Sequence, residues 1–221
     1  MLYQRFTPRE GANHERTRAR LREIAAAHPE TRVAWAARYG IGSLYAAEEI
    51  WASCEGEWAA LLRNLPSEEP FRAALARELA EVRYALAKRY ESQGDLKQAT
   101  RYLDLAVGQL EARKREEALA LLPEWSVSFG DYENARRYFL EGARLAPNRD
   151  IELWRRYRAA SCLVSLGRLA EAVPEYQDIL AQPDVSDMVA EECRRELALC
   201  QAKSPAERLQ LLERDLDKEA P

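Results

Sequence analysis

Histidine is nearly missing from this chain, and glycine, proline and β-branched residues are few. The two histidines, His14 and His28, stand fourteen positions apart in 221 residues, too far for the i, i+4 pair that grips zinc on one helix. The four cysteines, Cys54, Cys162, Cys193 and Cys200, form no C-x-x-C pair. They read as reduced, small apolar groups in a core, so neither a disulfide frame nor a metal site is expected. There is no G-x-x-x-x-G-K-[ST] phosphate cradle, and "GIGS" at Gly40–Ser43 fails the nucleophile-elbow pattern. No apolar run approaches the roughly 20 residues that span a bilayer. The opening stretch "MLYQRFTPREGANHERTRARLREIAAAH" has no apolar signal core. These absences predict a cytoplasmic protein with no membrane partner and no cofactor, and the Arg and Ala usage points to a bacterial source.

Acids are plentiful but poorly placed for chemistry. Glu48–Glu49, Glu68–Glu69, Glu116–Glu117 and Glu191–Glu192 are adjacent in sequence. On a helix, neighbours diverge by about 100°, so these carboxylates do not converge on a substrate. They read as solvated helix faces. The expectation is a protein that is not an enzyme, with no catalytic residue; an enzyme lacking any recognisable motif is the remaining alternative.

What is present favours helices. The chain is 47% hydrophobic and 32% charged, with only nine Gly and ten Pro. Ala, Leu, Arg and Glu dominate, the residues that lose least rotamer freedom in a helix. A net charge of −4 is too small to steer binding by itself. An all-α fold follows.

Along the chain, residues 1–12 read as a frayed terminus and 13–66 as an N-terminal helical region. Asn13 to about His28 is a charged helix with a narrow stripe, Leu21, Ile24 and Ala25; its arginines form either a solvated face or a dock for an acidic partner. Pro29 stops it and Thr31 caps the next. Gly40 and Gly42 are expected to break that second helix. A long helix then runs from Ser43 to Asn64, striped by Leu44, Ala47, Trp51, Cys54, Trp58, Leu61 and Leu65. Two uses of this stripe are open: core packing, or a seam through which two copies associate. Pro66 and Pro70 in "LPSEEP" mark a linker, and helix resumes from Phe71 to Gln93.

Three stretches then share a pattern: "GDLKQATRYLDLAV" from Gly94, "GDYENARRYFLEGA" from Gly130 and "GRLAEAVPEYQDIL" from Gly167. Five residues after each glycine stands Ala99, Ala135 or Ala172; nine after, Leu103, Phe139 or Tyr176; twelve after, Ala106, Gly142 or Ile179. Pro147 and Pro183 close the second and third copies. Glycine makes a tight turn between antiparallel helices, the small residue allows close approach, and the large residue fills the gap to the next copy. Such a unit cannot bury its apolar face alone and must stack on a neighbour.

This pattern resembles the tetratricopeptide repeat family, over about residues 82–183. The units run 36 and 37 residues, from Gly94 to Gly130 and Gly130 to Gly167, against about 34 in the family. Gly142 and Ile179 stand where alanine is usual, and Pro123 and Pro174 fall inside helices. A degenerate copy starting at Gly42 is a further reading. The repeat array is set at 67–203, with "SPAE" opening a capping helix over 204–217.

The resemblance implies a right-handed α-solenoid whose first helices line a concave groove holding a peptide or helical segment of another protein. The matching positions include Tyr84 and Lys88, then Glu124, then Trp154, Tyr157, Arg158 and Ser161. Trp154 and Tyr157 serve either as partner contacts or as packing between units. Members that clamp a C-terminal carboxylate use Lys, Asn and Arg; only Arg158 survives here, so that mode is not expected. Seven arginines between Arg136 and Arg158, against three acids, leave open an alternative: a regulator binding a signal peptide, or nucleic acid, through Arg-rich helices. An acidic chain makes nucleic acid the weaker choice.

Overall fold

A computed structural model describes residues 13–202. Within them lie ten helices and no strand. The capping helix expected over 204–217 and the terminus over 1–12 lie outside the described residues. Two packed units divide the chain at Arg115/Glu116. The first carries α1 (His14–Ala27), α2 (Arg32–Ala47), α3 (Trp51–Asn64), α4 (Phe71–Ser92) and α5 (Leu96–Val107). The division falls inside α6 (Ala112–Ser128). The second unit holds α7 (Tyr132–Arg144), α8 (Arg149–Ser165), α9 (Leu169–Leu180) and α10 (Asp187–Gln201).

The three glycines do make the expected turns. Gly94, Gly130 and Gly167 have φ of 78°, 80° and 74°. Each closes its helix with the same pair of backbone bonds. Gly94 N–H donates to Glu91 O at 2.9 Å and Asp95 N–H to Tyr90 O at 3.0 Å. Gly130 and Asp131 repeat this onto Val127 and Ser126, and Gly167 and Arg168 onto Val164 and Leu163. This is a left-handed glycine closing a Schellman motif. Asp95 and Asp131 then cap the next helix by accepting from Gln98 N–H and Asn134 N–H. Ala99, Ala135, Ala172, Leu103 and Tyr176 are all fully buried.

The N-terminal hairpin departs from expectation. α2 runs straight through Gly40 and Gly42, and no single helix covers Ser43 to Asn64. The break comes at Glu48–Ile50, where Glu49 adopts φ 57°. Both glycines serve close approach instead of a turn. A Cβ at Gly40 would meet Leu21 Cδ1 of α1 at 3.2 Å, and one at Gly42 would overlap the indole of Trp58 on α3. Glu49 N–H donates to Ala46 O and Ile50 N–H to Tyr45 O, the same closure as at the three glycines. Counting from Glu49, the offsets five, nine and twelve land on Cys54, Trp58 and Leu61, all buried. A fourth hairpin of the same design therefore exists, seven residues later than the pattern at Gly42 suggested, with glutamate in the glycine position.

Most of the stripe expected on the long helix goes into the core, with Trp51 half-buried and Ala47 exposed. Cys54, Trp58, Leu61 and Leu65 pack with Tyr39, Phe71, Leu75, Leu79, Val82 and Leu86, joining α2, α3 and α4. Tyr39 stacks on Trp58 at 5.3 Å and meets Phe71 edge-on at 5.1 Å. Most of the seam expected for association of two copies is thus interior surface of one chain.

Arginine side chains cover the ends of α5 and α3. Arg115 donates to the carbonyls of Val107 and Gly108 at the end of α5. Arg72 donates to Leu62 O and Leu65 O at the end of α3. Both satisfy carbonyls that the helix leaves unpaired. α6 and α9 continue through Pro123 and Pro174, each forgoing one backbone bond.

Candidate functional site

The expected groove residues lie on the first helices of their pairs: Tyr84 and Lys88 on α4, Glu124 on α6, and Trp154, Tyr157, Arg158 and Ser161 on α8. Each unit gathers its own set.

In the first unit, Tyr84 is half-buried, with the Lys114 ammonium 5.4 Å from its ring centroid. Lys114 also pairs with Glu81, and Lys88 pairs with Glu91 at 2.6 Å. Lys88 and Tyr84 are therefore engaged locally, on one face of α4 beside the start of α6.

In the second unit the residues converge more tightly. Arg158 meets Glu124 through two N–O contacts, both 2.9 Å, a bidentate pair between α8 and α6. Its guanidinium lies 4.8 Å from the Phe139 ring and 5.9 Å from that of Trp154. Trp154 is half-buried and its ring is 5.2 Å from Tyr157. Tyr157 is only 6% exposed. It lies between Trp154 and Tyr176 and donates its hydroxyl to Glu192 of α10 at 3.1 Å. Burial pushes the Tyr157 phenol up to about 12. Ser161 Oγ donates to Tyr157 O at 3.1 Å and accepts from the Tyr176 hydroxyl at 3.2 Å. Tyr157 and Ser161 thus anchor the face from beneath, while Trp154, Arg158 and Glu124 form its surface.

α10 supplies groups that the sequence reading did not include. Glu192 accepts from both Tyr157 and Arg195, the latter at 2.6 Å. Burial raises the carboxyl of Glu196, which Arg195 opposes and Glu192 reinforces. The signal was available: Glu192 and Glu196 lie one repeat, 35 residues, beyond Tyr157 and Ser161. Extending the register past Pro183 would have found them.

Chemically, this face offers aromatic surface, a guanidinium and carboxylates. Burial pushes the thiols of Cys54 and Cys193 up to about 12 and that of Cys162 to about 11, which leaves them protonated and unreactive near neutrality. Among the described residues, no group of three His, Cys, Asp or Glu side chains is placed to hold a metal ion. No described helix is long and apolar enough to cross a membrane.

No protein-family model matches the chain, and no curated protein matches its sequence. Solved structures similar to it include tetratricopeptide repeat proteins. One is a tetratricopeptide repeat protein from Parabacteroides merdae, 13% identical, covering 95% of this chain and 75% of that one, with a TM-score of 0.40. Another comprises kinesin light chain-like TPR repeats from Podosopora anserina, 18% identical, covering 86% of this chain and 90% of that one, with a TM-score of 0.33. The helical-hairpin architecture itself rests on this chain's own four repeated turns, at Glu49, Gly94, Gly130 and Gly167.

Proposed function

We propose that this protein is a non-catalytic interaction module that holds a peptide or helical segment of a partner protein on its first-helix faces. The observation carrying this reading is Trp154, half-buried beside the Arg158–Glu124 pair. The large residues of the second helices, Leu103, Phe139 and Tyr176, are by contrast fully withdrawn. A partly exposed tryptophan next to an arginine is the residue chemistry of interface hot spots. Tyr84 and Lys88 offer a second such surface on α4.

The nucleic-acid alternative draws less support. Of the seven arginines from Arg136 to Arg158, Arg136, Arg149 and Arg158 are paired with carboxylates, and Arg155 donates to Gly142 O at 2.6 Å. Paired guanidiniums contribute little to phosphate binding.

The test is a mass-spectrometric pull-down with wild type and a Trp154→Ala, Arg158→Ala double variant, both checked for native helicity. Proteins recovered by the first and lost by the second are the expected result. Equal recovery of the same proteins by both baits refutes the assignment of this face.

A further inference from the structure

Seven arginines between Arg136 and Arg158 do not share one role. Arg136 pairs with Glu175, Arg149 with Glu152 and Asp184, and Arg158 with Glu124. Arg155 is spent on the Gly142 carbonyl, and Arg137 bonds to Asn134 and lies 4.2 Å over the Tyr138 ring. Arg144 and Arg156 differ: among the described residues neither has a carboxylate within ion-pair distance. Both face the same depression. A groove of about 500 Å³ runs along α7 past Arg137, Leu140 and Arg144. A second, of about 450 Å³, lies at the α7–α8 connection between Leu140, Ala143, Arg144, Ala146 and Arg156. They share Leu140 and Arg144; Leu140, Ala143 and Ala146 form an apolar strip in the lining, and Arg144 and Arg156, without a carboxylate partner among the described residues, stand beside it.

We propose that this groove is a second docking site, separate from the Trp154–Arg158 face, and that it takes an acidic amphipathic segment of a partner protein. Carboxylates of the segment meet Arg144 and Arg156, and an apolar side chain covers Leu140, Ala143 and Ala146. Charge complementarity selects the occupant. Glu133 and Glu141 also line the groove along α7, and Glu152 lines the α7–α8 end. A nucleic-acid strand carries a charged phosphate on every nucleotide and would press some of them against these glutamates. A peptide places neutral residues there and carboxylates only opposite the arginines. The apolar strip of Leu140, Ala143 and Ala146 likewise has no use for phosphate.

Fluorescence anisotropy with the full chain tests this. The probe is a labelled peptide of about fourteen residues, with leucine every third or fourth position among aspartate and glutamate. Its counterpart with lysine for each acid and an oligothymidylate of equal length are run beside it. The acidic peptide is expected to bind, and Arg144→Glu with Arg156→Glu to weaken it at least about tenfold. The matched reversal Arg63→Glu with Arg77→Glu, on exposed positions of α3 and α4, is expected to leave binding unchanged. Arg144→Gln with Arg156→Gln, which only removes charge, should give a smaller loss in the same direction and guards against a misfolded reversal variant. Absence of peptide binding at low salt overturns the proposal. So does equal loss in the control pair, loss on Trp154→Ala, or tighter binding of the oligothymidylate that vanishes with Arg144 and Arg156.

Discussion

Trp58 lies directly over Gly42, with its indole Nε1 donating to the carbonyl of Tyr39 at 3.1 Å. This contact holds α3 against α2 and leaves no room for a β-carbon. Gly42→Ala gains helix propensity but must displace the indole from its bond and from its stack on Tyr39. Overpacking of this kind costs about 1–3 kcal/mol net. Urea denaturation followed by tryptophan fluorescence will show it, and an unchanged or raised midpoint would contradict the close approach.

Glu49 occupies the turn position that glycine fills at 94, 130 and 167, with φ 57°. A left-handed non-glycine residue costs about 1–2 kcal/mol, of which the greater freedom of glycine in the unfolded chain takes back a part. Glu49→Gly is therefore expected to stabilise by about 0.5–1 kcal/mol, and Gly130→Ala to destabilise. A thermal melt of both variants checks the pair, and opposite signs are required.

Arg18 is 6% exposed, held by Glu15 at 2.8 Å and by Glu48 at 2.6 Å, with its guanidinium 4.5 Å over Tyr45. The hydrogen bond from Arg18 holds the Glu48 carboxyl below its ordinary 4.5, and His14 adds to this. A depressed folded value means that the stabilisation is complete above 4.5 and lost as pH falls through that lower value. Urea midpoints of wild type and Glu48→Gln should differ above pH 4.5 and approach each other below it. A gap independent of pH would mean that the pair contributes nothing through its charge.

Cys54, Cys162 and Cys193 are buried, while Cys200 is half-buried. With thiols raised by burial, the first three are closed to modification at pH 8. A colorimetric thiol titration of the native chain should find one fast-reacting group, and four after unfolding. A second fast group would show that one of these helices opens readily.

The faces of the first helices were legible in part. Register counting from the three glycines put Trp154 and Arg158 on one face of α8, where they lie half-buried, because a repeat places equivalent residues on equivalent faces. It did not separate Trp154, which remains half-buried, from Tyr157, which is covered, since both lie on the same side of α8. The neighbouring α9 and α10 decide that, through Tyr176 and Glu192. Arg144 and Arg156 stood out in sequence only as members of a dense arginine run; which arginines lack partners depends on carboxylates 30 or more residues away, such as Glu175 for Arg136 and Glu124 for Arg158.

By itself the sequence determined the helical class, the turns at Gly94, Gly130 and Gly167, and the burial of the residues five and nine positions after each, because these follow from local backbone freedom and helical period. Tertiary structure alone decided the N-terminal hairpin. Glycine carries one signature for two uses, a left-handed turn or a helix surface bared for a neighbour. The indole of Trp58, sixteen residues from Gly42 (58 and 42), settled which one applied. Once α2 continued past that point, the chain had to reverse at Glu49, where packing overrides the preference of a glutamate for negative φ.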